Sequence, residues 1–179
     1  LHGQVGIAPH EPAPYTELTH VPAILVDPAD RQASQRYAGL LMPIDFGATV
    51  GELIAGTGDQ TTRDDSVEEN PPELGRSIGR LLEGDVGLWR SGVRDQVYSA
   101  GGGGHALTVA GWSLVQPLDG PAKLFVKPDD YFDLSDIADR SRDVSKVLAD
   151  CLDALVHRRS KADKEPLPAV VADEGTKRR

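Results

Sequence analysis

The sequence predicts a mixed α/β fold that ends in a small antiparallel sheet packed by a C-terminal helix. Three observations carry this. One is a short unbroken apolar run, Ala23-Ile24-Leu25-Val26, set between Pro22 and Asp27-Pro28. Another is a series of strand-like runs between residues 97 and 126, punctuated by glycine. The last is an apolar stripe from Val144 to Val156 that keeps helical spacing without a miss.

In chain order, residues 22–27 come first. Their length and the β-branched Ile24 and Val26 favour a buried strand over a helix. Residues 29–39 are polar and read as a loop or surface turn. A helix is expected over 45–55, with Asp45 or Thr49 as its N-cap. Thr49-Val50-Gly51-Glu52 fits the capping-box spacing and Gly56 supplies the stop. Val50, Leu53 and Ile54 make its apolar face. Residues 57–72 are polar, acidic and Pro-ended, which predicts a mobile surface loop.

The second half changes character. Val97-Tyr98-Ser99, His105 to Val109, Trp112 to Val115 and Leu124 to Val126 are short runs suited to an antiparallel sheet. Ala110-Gly111 suits a tight hairpin, Asp119-Gly120 a turn, and Gly101–Gly104 a flexible hairpin loop. The terminal helix places Val144, Val147, Leu148, Cys151, Leu152, Leu155 and Val156 on one face. His157, Arg158 and Arg159 follow in its last turn, where cations suit the helix dipole. Burial of that stripe contributes on the order of 1.5–3 kcal/mol per large side chain. From Ala162 onward the chain is charged and non-periodic and is expected to be disordered.

Composition excludes several classes. A formal net charge of −9 disfavours nucleic acid or an anionic membrane as a partner. No apolar run approaches the ~20 residues of a membrane span. The single cysteine, Cys151, rules out an internal disulfide framework. It sits on the apolar stripe, where a free Cys acts as a small hydrophobe and not as a nucleophile. Gly101–Gly104 lacks the following Lys-Ser/Thr of a phosphate-binding loop. Asp129, Asp130 and Asp133 lack the glycine and distal glutamate of a calcium loop and read as a solvated turn. No serine has the context of a nucleophile elbow. His20, before Val21-Pro22, reads as a partly buried strand-edge residue.

Five blocks in order carry a resemblance. The chain opens Leu1-His2-Gly3-Gln4, followed by Tyr15-Thr16-Glu17 and Val21-Pro22. Met42-Pro43-Ile44-Asp45-Phe46-Gly47-Ala48-Thr49-Val50 with Leu53-Ile54-Ala55-Gly56 comes next. Then come Gly75-Arg76-Ser77-Ile78-Gly79-Arg80-Leu81-Leu82-Glu83-Gly84, Arg94-Asp95 with Ala106 to Val115, and Lys123-Leu124-Phe125 through Asp133-Leu134. This order resembles the sulfatase family of the alkaline phosphatase superfamily. There a D-H-G-E or D-N-G metal motif precedes Y-x-E-x-x-x-V-P, and I-D-L-x-P-T-L, G-x-S-L-x-P-L-L-x-G and A-I-R-T segments follow. Ala48 stands where that family often has Pro.

The resemblance implies the C-terminal part of an alkaline-phosphatase-like α/β fold, within a longer protein. Residues 1–60 would end the catalytic α/β domain and 61–92 would form a surface loop and connection. Residues 93–160 would be the sheet-plus-helix subdomain and 161–179 a disordered tail. The implied chemistry is hydrolysis of a small-molecule or carbohydrate sulfate ester. Calcium or a similar divalent cation would neutralise the sulfate oxygens, and formylglycine, made from an upstream Cys or Ser in C/S-x-P/A-x-R, would attack sulfur. That motif is absent from these residues, so no catalytic residue is assigned and the isolated chain is expected to be inactive. His2 matches a position that can contact the metal, although Leu1 replaces its aspartate. His10 matches a residue at the rim of the sulfate pocket, with no lysine following it before Tyr15. Leu1 and Gln4 also suit a degenerate, non-catalytic relative that binds or scaffolds. A phosphoryl or phosphonate ester hydrolase of the same superfamily fits as well. The compartment is left to whatever precedes Leu1, with export following from a signal peptide there.

Overall fold

Alternation along four short strands builds the centre of the molecule. A computed structural model describes residues 13–26, 36–55, 75–82 and 93–162. The strands are β1 (Gln96–Gly101), β2 (Gly104–Val109), β3 (Trp112–Pro117) and β4 (Lys123–Val126). They form one antiparallel sheet in the order β1-β2-β3-β4. Register follows from the turns: Gly101 pairs with Gly104, and Val109 with Trp112 across Ala110-Gly111. The expected flexible loop at Gly101–Gly104 is thus a tight two-residue turn whose outer glycines belong to the ladder.

Successive side chains point to opposite faces of the sheet, and both faces are covered. Leu107, Leu114 and Leu124 share one face and pack with Leu148 and Leu152 of the terminal helix. Ala106, Val115 and Phe125 share the other and pack with Ala13 and Tyr15. Arg142–Ala162 is the terminal helix, and a single turn, Thr16–Thr19, follows Tyr15. A third cluster, Ile78, Leu81 and Val93 with Tyr37, Leu41 and Phe46, lies beside Pro43–Ala55 and the turn Gly79–Leu82. The four helices in chain order are α1 (Thr16–Thr19), α2 (Pro43–Ala55), α3 (Gly79–Leu82) and α4 (Arg142–Ala162). Among the described residues no helix is long and apolar enough to cross a membrane.

Four expectations are corrected here. Residues 21–26 belong to no strand, and Ile24 is 88% exposed. No described residue offers them a ladder partner. α2 starts at Pro43, whose fixed φ and missing N–H suit a first helical position. Asp45 is therefore not the N-cap. It sits at the third helical position and accepts the Met42 N–H at 2.7 Å, the return half of a capping box. Thr49 is likewise buried inside the helix. The apolar face expected for α2 is open, with Val50, Leu53 and Ile54 exposed.

On α4 the stripe narrows. Leu148 and Leu152 are buried, whereas Val147 and Cys151 are exposed. A helix lying on a single sheet buries one ridge, and Val147 and Cys151 flank it. The Asp129–Asp133 turn is solvated only in part, because Asp133 is 3% exposed. Gly56, the loop 57–72 and the tail beyond residue 162 lie outside the described residues.

One turn position is set by backbone geometry. Gly104 has φ +146°, and a Cβ there would overlap the Gln116 carbonyl across the ladder. Gly104→Ala is expected to destabilise the sheet by about 1–3 kcal/mol, read as a fall in the thermal midpoint. Gly111 has open space for a Cβ, so Gly111→Ala provides the mild control.

Candidate functional site

Two polar clusters hold distant parts of the chain together. The first centres on Asp45, whose side chain is fully buried. Arg94 donates to it from Nε at 2.8 Å and from Nη2 at 2.5 Å, a two-point fork matched to a carboxylate. The Arg76 N–H adds a third donor at 2.7 Å and the Met42 N–H a fourth. Thr49 extends the network, donating its hydroxyl to the Asp45 carbonyl at 2.6 Å and accepting the Ile78 N–H at 3.0 Å. Arg76 in turn donates from Nη1 to the Val93 carbonyl at 2.8 Å.

Burial alone would push the Asp45 carboxyl up. The Arg94 fork and the N–H groups of Arg76 and Met42 outweigh it and hold the carboxyl below the ordinary carboxylate range. Asp45 is thus held in its charged form down to a lower pH than an ordinary carboxylate, with its oxygens engaged by four donors. It is placed to bind chain segments and not to move protons.

The second cluster pins the N-terminal segment to the sheet. The Thr16 N–H donates to Asp133 Oδ2 at 2.6 Å, across 117 positions of sequence. Lys127 donates from Nζ to Asp133 Oδ1 at 2.6 Å, to Thr16 Oγ1 at 3.0 Å and to the Asp130 carbonyl at 2.7 Å. Asp133 adopts φ 55°, a left-handed conformation that Asp tolerates. The Asp130 carboxylate caps the next stretch, accepting the N–H groups of Leu134 and Ser135. Tyr15 completes the dock: its ring meets Phe125 edge to face at 6.2 Å, and its hydroxyl accepts from Lys123 Nζ at 2.8 Å. His20, expected at a strand edge, is exposed and sits against the Tyr131 ring at 5.2 Å.

A third pairing lies on the helix-covered face. The Tyr98 hydroxyl and His105 Nδ1 are 2.7 Å apart with their rings stacked. Arg159 of α4 lies 5.9 Å from the Tyr98 ring centre. Burial raises the Tyr98 hydroxyl above its usual value, partly opposed by Arg159.

His2 and His10, the residues offered for metal and pocket rim, lie outside the described residues. Among the described residues no group of three His, Cys, Asp or Glu side chains is placed to hold a metal ion. Sequence reasoning passed over Lys127, read Asp133 as part of a solvated turn, and gave Asp45 only a capping role. An acid inside Ile44-Asp45-Phe46 was the available signal, since an isolated charge amid apolar neighbours demands a partner. No known protein family matches the chain, and no curated protein matches it.

Proposed function

We propose that this chain is the C-terminal part of a sulfatase-like hydrolase acting on sulfate esters. One observation carries the reading: the five sequence blocks behind the resemblance meet in two polar clusters. Asp45, Arg76 and Arg94 come from three of them and share one carboxylate. Thr16 and Asp133 come from the first and the last. The resemblance rests on the order of these blocks along the chain, and the contacts show that the blocks belong to one folded unit.

On this reading the chain's own contribution is architectural. The sheet and the Lys127–Asp133 cluster hold the segment that begins at Ala13, and the Asp45 cluster holds α2 to the segments of Arg76 and Arg94; formylglycine and a divalent cation, if present in a preceding half, would supply the chemistry of sulfate-ester cleavage. Leu1 and Gln4, where the family has acidic residues, favour a non-catalytic relative as the second reading.

The test is the coding sequence ahead of Leu1 together with aryl sulfate and aryl phosphate assays. A C/S-x-P/A-x-R motif upstream is expected, with sulfate turnover by the longer product and none by residues 1–179. An upstream region lacking the motif would leave the non-catalytic reading. Preferential turnover of aryl phosphate would move the chain to the phosphoryl hydrolases, and sulfate turnover by residues 1–179 alone would overturn the division of labour.

A further inference from the structure

Lys127 is bonded in the manner of a bound ion and not of a surface lysine. Its Nζ reaches four oxygens: Asp133 Oδ1 at 2.6 Å, the Asp130 carbonyl at 2.7 Å, Thr16 Oγ1 at 3.0 Å and the Tyr131 carbonyl at 3.3 Å. An ammonium has three protons to give, so more acceptors are gathered around it than it can serve singly. Three of the oxygens lie in one turn, residues 130–133, and the fourth comes from the N-terminal segment, 111 positions before Lys127. The Lys127 side chain is 12% exposed, so protein oxygens stand where most of its water would be.

The number and charge of these oxygens decide which cation they fit. One carboxylate oxygen and three neutral ones balance a single positive charge. The other Asp133 oxygen takes the Thr16 N–H, and the Asp130 carboxylate is engaged by the Leu134 and Ser135 N–H groups. Calcium and magnesium draw oxygens in to about 2.3–2.6 Å and about 2.0–2.1 Å and add carboxylates or waters. Three of the four oxygens here lie farther from Nζ than that. Carbonyl and hydroxyl oxygens at such distances suit a large monovalent ion, as carbonyl rings that replace the hydration shell of potassium do. Potassium and ammonium are close in size, and the head group of Lys127 is an ammonium on a tether.

We propose that Thr16, Asp130, Tyr131 and Asp133 form a monovalent-cation site whose occupant is the chain's own Lys127 ammonium. The same oxygens take up free potassium or ammonium ion once that head group is removed. Thr16 supplies one ligand and its N–H braces another, so filling the site fastens the N-terminal segment to the sheet. Carrying the cation on a side chain makes this attachment independent of the ions in solution. The site stands whether or not the chain belongs to a sulfatase-like hydrolase, and residues 1–179 suffice to test it.

Hydrogen exchange at the Thr16 amide reads the site, in chloride buffers of equal ionic strength. In Lys127→Ala, with N-methylglucamine (too large for the site) as the buffer cation, Thr16 exchange is expected to speed up roughly tenfold or more. The Leu107 and Leu114 amides should stay protected. Exchanging that cation for potassium or ammonium should restore protection at Thr16, and the restoration should saturate with concentration. The wild-type chain should not distinguish the buffers. Two further variants locate the ion: Lys127→Met, whose stem fills the space without a charge, and Lys127→Ala/Asp133→Asn, which lacks the carboxylate. Neither is expected to respond to potassium. If Lys127→Ala loses the sheet amides as well, the rise of its thermal midpoint in potassium over N-methylglucamine reads the same binding. No response of Lys127→Ala to either ion by either measurement overturns the site, as does an equal response of Lys127→Met or of the double variant. A stronger response to calcium overturns the monovalent assignment, and ion dependence in the wild type overturns the tethered occupant.

Discussion

Asp45→Asn is expected to loosen the α2/α3 region by about 3–5 kcal/mol, the cost of leaving one member of a buried ion pair without its partner. The amide keeps the shape of the carboxylate, so packing is spared and charge is what changes. Arg94, with its side chain 1% exposed, would then be a buried cation facing an amide that can offer one acceptor. The Arg76 and Met42 N–H groups would lose a charged acceptor as well. Amide exchange at Arg76 and Ile78 is the measurement, because both are held through Asp45 or Thr49. Little change in those rates would show that the cluster does not hold the segments together. The double variant Asp45→Leu/Arg94→Met should recover most of the loss, since apolar replacements of a whole buried pair are often neutral.

The same carboxylate sets an acid limit. Its folded value lies below the value in the unfolded chain, so its contribution is complete above the ordinary carboxylate range. As pH falls through the folded value, protonation removes it. The wild-type chain should therefore lose protection at Arg76 and Ile78 on acidification. Asp45→Asn, already without the contribution, should show a flatter profile over that window.

Local pattern explains what was legible in the sequence. The sheet was readable because β2, β3 and β4 are short apolar runs bounded by turns that carry glycine; α4 was readable because its stripe repeats at helical spacing. Where the same rules failed, the deciding partner was remote. Asp45 has a near partner in Met42 and its strongest ones 31 and 49 positions away. A capping motif was visible, and a buried fork was not. Thr49 fits an N-cap by spacing, yet its hydroxyl is used inside the helix against Ile78. Residues 22–26 were read as buried from composition, which states a need for cover without saying what meets it. Cys151 sits on the stripe by periodicity, but periodicity does not fix how wide a ridge the sheet receives. The contact of Thr16 with Asp133 spans 117 positions and no local pattern announces it, while His2 and His10 fall outside the described residues.

Asp133→Asn is expected to release the N-terminal segment from the sheet while leaving the sheet intact. Asn also tolerates the left-handed backbone at this position, so the substitution tests the charge and not the turn. Two interactions weaken together: the charged hydrogen bond from the Thr16 N–H and the ion pair with Lys127. Hydrogen bonds to a charged group are worth about 1.5–3 kcal/mol each. The loss here should fall near the lower end in total, because Lys127 keeps the Thr16 hydroxyl and the Asp130 and Tyr131 carbonyls, and its side chain is 12% exposed to water. Tyr15 and Ala13 would then hold the segment by packing against Ala106, Val115 and Phe125. Faster exchange at Thr16 and faster proteolysis after Leu18 are the expected readouts, with Leu107 and Leu114 amides unchanged as the control. Tyr15→Phe, which removes only the hydroxyl that Lys123 reaches, should cost about 1 kcal/mol by comparison. Equal effects from the two variants would mean that the Lys123–Tyr15 hydrogen bond contributes as much to the attachment as the Lys127–Asp133 pair. A larger effect from Asp133→Asn would make that pair the fixed point from which the chain runs back toward His10.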